Sequence, residues 1–151
     1  MSQQQTSSRQ ATLRSGYPYL QSITTRWMDN DVYGHVNNVN YYAYFDTVVN
    51  QFLIERGDLD IHNGESIGFI VESQCSYRSP VAYPQLLEGG MQVLKLGNSS
   101  VTYGVAIFQQ GVEEAAAVGS FTHVFVERAS QRPTPIPAAL RAALESLQVA
   151  H

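Results

Sequence analysis

The sequence predicts an α+β protein in which one antiparallel sheet wraps around a single long helix. Two observations carry that prediction. Apolar residues keep a sustained helical spacing at Tyr41, Tyr44, Phe45, Val48, Val49, Phe52 and Leu53, the i, i+3, i+4, i+7 pattern of a wide apolar face. Most of the remaining chain consists of β-branched and aromatic runs separated by turn residues. A lone amphipathic helix cannot bury its face by itself, and consecutive antiparallel strands need one face covered. Each feature supplies what the other lacks.

The elements follow in order. Tyr17 to Trp27 alternates partially and reads as a first strand. A polar, turn-rich run, Asp29 to Asn40, leads into the helix, which is expected over residues 38–56. Asn37, Asn38 and Asn40 stand at the N-cap region, Arg56 is in the last turn and Gly57 is placed as the C′ residue. Gly68–Arg78 puts Phe69, Val71, Cys75 and Tyr77 on one parity, as a half-buried strand would. Pro80 and Pro84 bracket a connection to a strand at Gln85–Leu96. Gly97-Asn98 then turns the chain into Val101–Phe108, a hairpin. Gly111 marks another turn before a last strand at Ala115–Glu127. Arg132–Pro137 ends the sheet, and Ala138–Gln148 forms a short helix started by Pro137.

Composition narrows the function. The 151 residues are room for one domain, expected over residues 16–151, with residues 1–15 as a disordered Gln/Ser/Thr-rich tail. One cysteine, Cys75, excludes an internal disulfide framework and a CxxC metal site. Thirteen acids against nine bases give a net charge of −4, and no basic run offers a footprint for nucleic acid. No stretch approaches the roughly 20 apolar residues of a spanning helix. The start lacks the apolar core of a signal peptide, so a cytoplasmic location is expected, with no membrane partner.

Chemistry concentrates in the run before the helix. Asp29 and Asp31 are followed by Gly34, His35 and three asparagines, where a strand ends and a helix begins. A helix start offers free N–H groups and the positive end of its dipole, suited to a developing oxyanion, and a nearby carboxylate can be nucleophile or general base. That pairing fits acyl transfer. A calcium loop shares Asp29, Asp31 and Gly34 but fails at Tyr33 and at Asn40, where a bidentate glutamate is required. Read alone, both aspartates also fit ordinary turn and cap positions.

The run from Arg26 to Asp46, RWMDNDVYGHVNNVNYYAYFD, resembles the signature of hotdog-fold acyl-CoA thioesterases of the 4-hydroxybenzoyl-CoA thioesterase-like family. The likeness continues through Ser76-Tyr77-Arg78-Ser79-Pro80 and Gly119–Glu127 to Arg132-Pro133 and Pro137. It implies the hotdog fold, hydrolysis of an acyl-CoA thioester, and no metal or cofactor beyond the coenzyme A of the substrate. It further implies a homodimer, doubled to a homotetramer, with sites formed between subunits. Asp31 matches the catalytic carboxylate and the Asn38 amide the oxyanion donor. Asp29, Gly34, His35 and Asn37 support the loop. Tyr41, Tyr44 and Phe45 either line the acyl pocket or belong to the core. The hairpin that carries basic residues in relatives is here Gly97-Asn98-Ser99-Ser100, with only Lys95 nearby. Ser99, Ser100 and Arg128 are therefore the expected phosphate contacts, with Arg78 and Arg132 as alternatives. Glu72 is expected to be a surface or interface charge, His123 a satisfied strand histidine and Cys75 a small packed residue. The competing function is a non-catalytic acyl-thioester binding module, or processing of carrier-linked acyl groups, on the same fold.

Overall fold

Alternating side chains and tight turns produce five strands, and periodicity produces the helix that they cover. The computed structural model describes residues 10–60 and 62–148. In chain order the elements are β1 (Tyr19–Thr24), α1 (Asn38–Gly57), β2 (Ser66–Tyr77), β3 (Leu86–Leu96), β4 (Ser100–Gln109), β5 (Ala117–Glu127) and α2 (Ala138–Glu145). Short 3-10 turns at Arg14–Gly16 and Trp27–Asp29 flank β1. The sheet order is β1-β3-β4-β5-β2, antiparallel throughout. The connection from β2 to β3 thus crosses the whole sheet from one edge to the interior. The proline-bracketed segment read in the sequence is that crossing.

The core lies between α1 and one face of the sheet. Phe45, Val48, Val49, Phe52 and Leu53 are buried against Met91, Tyr103, Val105, Ile107, Phe121 and Phe125. Each fully buried side chain of this size contributes about 1.5–3 kcal/mol. Close approach of the helix is permitted by missing side chains. A Cβ on Gly89 would run into Val48, and one on Gly119 would meet the Phe45 ring at 2.7 Å. α2 closes the far end by burying Leu140 and Leu144.

Three expectations change. Gly57 is the last residue of α1, and the left-handed position falls to Asp58, at φ 57°. Gly57 is needed for another reason: a Cβ there would collide with Leu140 of α2. The single parity predicted for β2 is broken by a bulge between Ile70 and Glu72 that leaves Val71 unpaired. Phe69, Ile70 and Val71 are all exposed, at 41, 51 and 60%. Finally, the expected tail divides. Residues 1–9 lie outside the described residues, whereas residues 10–17 strap the outer face of the sheet. There the Gln10 amide donates to the carbonyls of Val105 (2.8 Å) and Gly119 (2.7 Å), and Arg14 pairs with Glu88 at 2.6 Å. Tyr17 packs beneath this strap with Phe108 and Ala115.

Candidate active site

The loop between β1 and α1 is built on a buried carboxylate. Asp29 is wholly buried and satisfied on every side. Its Oδ1 accepts from Arg26 Nε (3.0 Å) and Nη2 (2.8 Å), and its Oδ2 from the Arg26 amide (2.9 Å) and the Tyr44 hydroxyl (2.7 Å). The Asp29 carbonyl accepts from the Asn37 amide (2.9 Å) and the Asn40 side chain (3.0 Å). Burial by itself would raise the Asp29 pKa, but the donors from Arg26 and Tyr44 and the Arg26 charge hold it below the ordinary carboxylate value. The same contact and the burial of Tyr44 push that phenol far above its ordinary value. Asp29 is thus the anchor that fixes the loop to the first turns of α1.

Beyond that anchor the chain makes a tight excursion. Asn30 bridges Val36, the Asp31 amide donates to the His35 carbonyl (2.9 Å) and the Gly34 amide to the Asp31 carbonyl (3.0 Å). Gly34 takes φ 85°, a conformation that glycine adopts without steric cost. The Asp31 side chain accepts the Tyr33 amide at 2.9 Å through Oδ1, which orients the half-buried carboxylate. The crossing connection braces the loop from behind: Val36 donates to the Val81 carbonyl (2.8 Å), and the Tyr83 amide to Asn30 Oδ1 (3.0 Å).

At the helix start, Asn37 is the N-cap, and its Oδ1 accepts the Val39 amide at 3.0 Å. The Asn40 amide is taken by the Asn37 carbonyl at 2.9 Å. Asn38 N–H is left without an acceptor among the described residues, at the positive end of a 20-residue helix. Asp31 and the cap residue Asn37 border one open hollow of about 840 Å³, whose other walls include Trp27, Met28, Val32 and Tyr33. A carboxylate and an unsatisfied amide beside an apolar recess are what hydrolysis of an acyl group asks for.

The other expected site residues lie elsewhere. His35 contributes its carbonyl to the loop, and its ring is exposed. Tyr41, Tyr44 and Phe45 are buried at 3, 7 and 2% exposure and do not line the hollow; they are core, and Tyr44 also holds Asp29. Ser99 and Ser100 form the β3–β4 hairpin, whose Ser99 carbonyl accepts from Phe125. Arg128 follows β5 and donates through Nε to the Gly64 carbonyl at 2.7 Å. Both features sit at the end of the sheet occupied by the C-terminus of α1. Twenty helical residues rise about 30 Å, so one chain does not bring them to Asp31. His123 is buried with Nδ1 at 2.9 Å from the Tyr103 hydroxyl, as expected of a satisfied strand histidine, and burial lowers its pKa to about 4. Cys75 is half-buried, and burial raises its thiol pKa. What the sequence did not disclose is the exposed apolar collar around Asp31: Trp27 (76% exposed), Met28, Val32 and Tyr33. Their clustering was visible in the sequence, but an exposed aromatic looks the same there as a buried one.

Comparison with known proteins agrees with this fold. The family profile described as the thioesterase-like superfamily matches residues 25–144. Among solved structures, the PA5185 protein from Pseudomonas aeruginosa is 60% identical, with a TM-score of 0.90 over 91% of this chain and 96% of its own. The PA2801 protein from the same organism is 27% identical, with a TM-score of 0.77 over 85% of this chain and 98% of its own. A thioesterase from Thermus thermophilus, solved with coenzyme A and zinc, is 25% identical, with a TM-score of 0.72 over 85% and 98%. The sheet around its long helix is the hotdog fold.

Proposed function

The chain belongs to the thioesterase-like superfamily, and on that footing we propose that it hydrolyses an acyl-CoA thioester to the free acid and coenzyme A. Within the superfamily we place it with the 4-hydroxybenzoyl-CoA thioesterase-like members, acting in the cytoplasm. The observation that carries this reading is the hollow bordered by Asp31 and by the helix cap Asn37, whose next residue, Asn38, has an amide with no acceptor among the described residues. Asp31 attacks the thioester carbonyl, or takes a proton from the water that does. The oxygen of the tetrahedral intermediate gains negative charge, which the Asn38 amide and the helix dipole stabilise. Collapse breaks the C–S bond and the departing thiolate takes up a proton; where water attacked, the free acid is formed directly, and where Asp31 attacked, a water molecule then hydrolyses the acyl–Asp31 anhydride to the acid and the regenerated carboxylate. The coenzyme A bound by the Thermus relative supports the choice of thiol.

We further propose that the working unit is a homodimer, paired again as a homotetramer. β2 is an edge strand of twelve residues, bonded to β5 on one side only among the described residues, and it displays Phe69, Ile70 and Val71 to solvent. A long apolar edge of this kind is a template for another strand, and a second copy offers the same edge.

The test is free-thiol release from a panel of aliphatic and aromatic acyl-CoAs. Asp31→Asn should lower kcat by about 10²–10⁴-fold on whichever substrate the wild type cleaves. Undiminished turnover by that variant would remove Asp31 from the chemistry. Binding of the panel with no thiol release by the wild type would instead support the non-catalytic module.

A further inference from the structure

The apolar side chains around Asp31 are held out of the core by local geometry. Trp27–Asp29 is a 3-10 turn, which advances about 120° per residue. Its third residue, Asp29, is fixed inward by Arg26 and Tyr44, so Trp27 and Met28 are carried round to the outside. Val32 and Tyr33 are the central pair of a tight turn, closed by the Gly34 amide on the Asp31 carbonyl at 3.0 Å, and they stand at its tip. Turn centres favour glycine, asparagine, aspartate, proline or serine, whereas Val32, 94% exposed, gains almost nothing there from packing. A single exposed apolar side chain needs no explanation. A group of four lining one hollow does.

The hollow has a braced wall and a charge of one sign. Trp27 meets the Tyr83 ring edge-on, with centroids 6.0 Å apart, and the Tyr83 amide donates to Asn30 Oδ1 at 3.0 Å. The crossing connection thereby steadies the indole while most of its surface stays open. Among the described residues, Asp31 is the one charged side chain that lines the hollow, and no lysine, arginine or histidine there offsets it. Arg26, next to Trp27 in the chain, is committed to Asp29. Of the polar lining, Asn30 Oδ1 is taken by Tyr83 and Asn37 Oδ1 by Val39.

Resting on the acyl-CoA reading above, we propose that this collar seats the acyl group, with Trp27 as its specificity-determining wall, and that the substrate class is an uncharged, apolar acyl group rather than a short or carboxylate-bearing one. Trp27 and Tyr33 present rings and Met28 a flexible thioether, surfaces that lose water when apolar acyl carbons cover them. A terminal carboxylate would instead bring a second negative charge beside Asp31 with no partner to meet it. Tyr83 acts through Trp27, as a positioning residue.

The chain holds one tryptophan, so its intrinsic fluorescence reports Trp27 alone. Non-hydrolysable thioether analogues of octanoyl-, acetyl- and succinyl-coenzyme A are titrated by calorimetry and by emission. The octanoyl analogue should bind at least about tenfold more tightly than the other two, and should shift the emission to the blue as the indole leaves water. Equal affinities, or bound octanoyl analogue with unshifted emission, overturn the seat. In turnover, Trp27→Ala should lower the kcat/KM ratio of octanoyl- over acetyl-coenzyme A by about tenfold, and Trp27→Phe should keep most of it. Tyr83→Ala leaves the backbone bond to Asn30 in place and should lower the same ratio, with recovery in Tyr83→Phe, which restores the ring. A ratio that neither alanine variant moves overturns the assignment. So does dissociation of the assembly by Trp27→Ala with the ratio unchanged, which would make the collar a contact between copies. Tighter octanoyl binding with shifted emission but no thiol release by the wild type keeps the seat and overturns only the hydrolysis reading; thiol release with no acyl preference does the reverse.

Discussion

Two aspartates two positions apart stand in opposite settings. Asp29 is buried and saturated with donors, and Asp31 is half-buried on a turn with one amide to orient it. Asp29→Ala would leave the buried Tyr44 hydroxyl without its acceptor and remove the side-chain tie between loop and helix, leaving only the carbonyl bonds to Asn37 and Asn40. We expect it to cost about 2–3 kcal/mol by denaturant unfolding, whereas Asp31→Asn should unfold within about 0.5 kcal/mol of the wild type while losing turnover. His123 supplies a pH signature. Folded, it takes a proton only near pH 4; unfolded, near its ordinary 6.5. The unfolded state therefore binds more protons between those values, and stability falls as pH drops through that window, by up to ~1.4 kcal/mol per pH unit. Melting curves from pH 7 to 4.5 should show the decline, and His123→Gln should flatten it. An equal slope in the variant would place its cause elsewhere. The Asp31 position was legible from its spacing to the helix. The satisfaction of Asp29 was not, because its partner Tyr44 is fifteen residues away and reads equally as core.

At the scale of elements, α1 could be read almost to the residue, since its apolar stripe and its asparagine cap are local signals. Its end could not, because Gly57 answers to a contact with α2 rather than to a turn. β2 misled for a related reason. Alternation reports which side chains share a parity, but a bulge and an edge position are settled by pairing with distant β5. The same distant packing fixes the helix start that carries the Asn38 amide. Gly89 and Gly119 hollow the sheet where Val48 and Phe45 descend, so the register of α1 is set along its length. Gly89→Ala should push the helix outward, destabilise by about 1–3 kcal/mol and lower kcat more than it changes KM. Thermal unfolding and steady-state kinetics would register both effects, and an unaltered kcat would show that the amide does not depend on this contact.

For the whole molecule, the open edge of β2 is the feature on which the proposed assembly turns. Ile70→Lys places a charge where two apolar edges would meet. Sedimentation of this variant should give the mass of one 16.7 kDa chain, where the wild type gives two or four, and activity should fall with it. A monomeric wild type would refute the assembly. Fold class and the order of elements were readable because they follow from local periodicity and turns. The division of candidate binding residues between opposite ends was not, since adjacency across the sheet depends on the β1-β3-β4-β5-β2 order.

The segment at residues 10–17 has a consequence for handling the protein. Its glutamine amide stitches the carbonyls of two neighbouring strands, and its tyrosine roofs a second, smaller apolar cluster. Trimming to the start of β1 would thus uncover Phe108 and strip two acceptors of their donor, turning a closed surface into a sticky one.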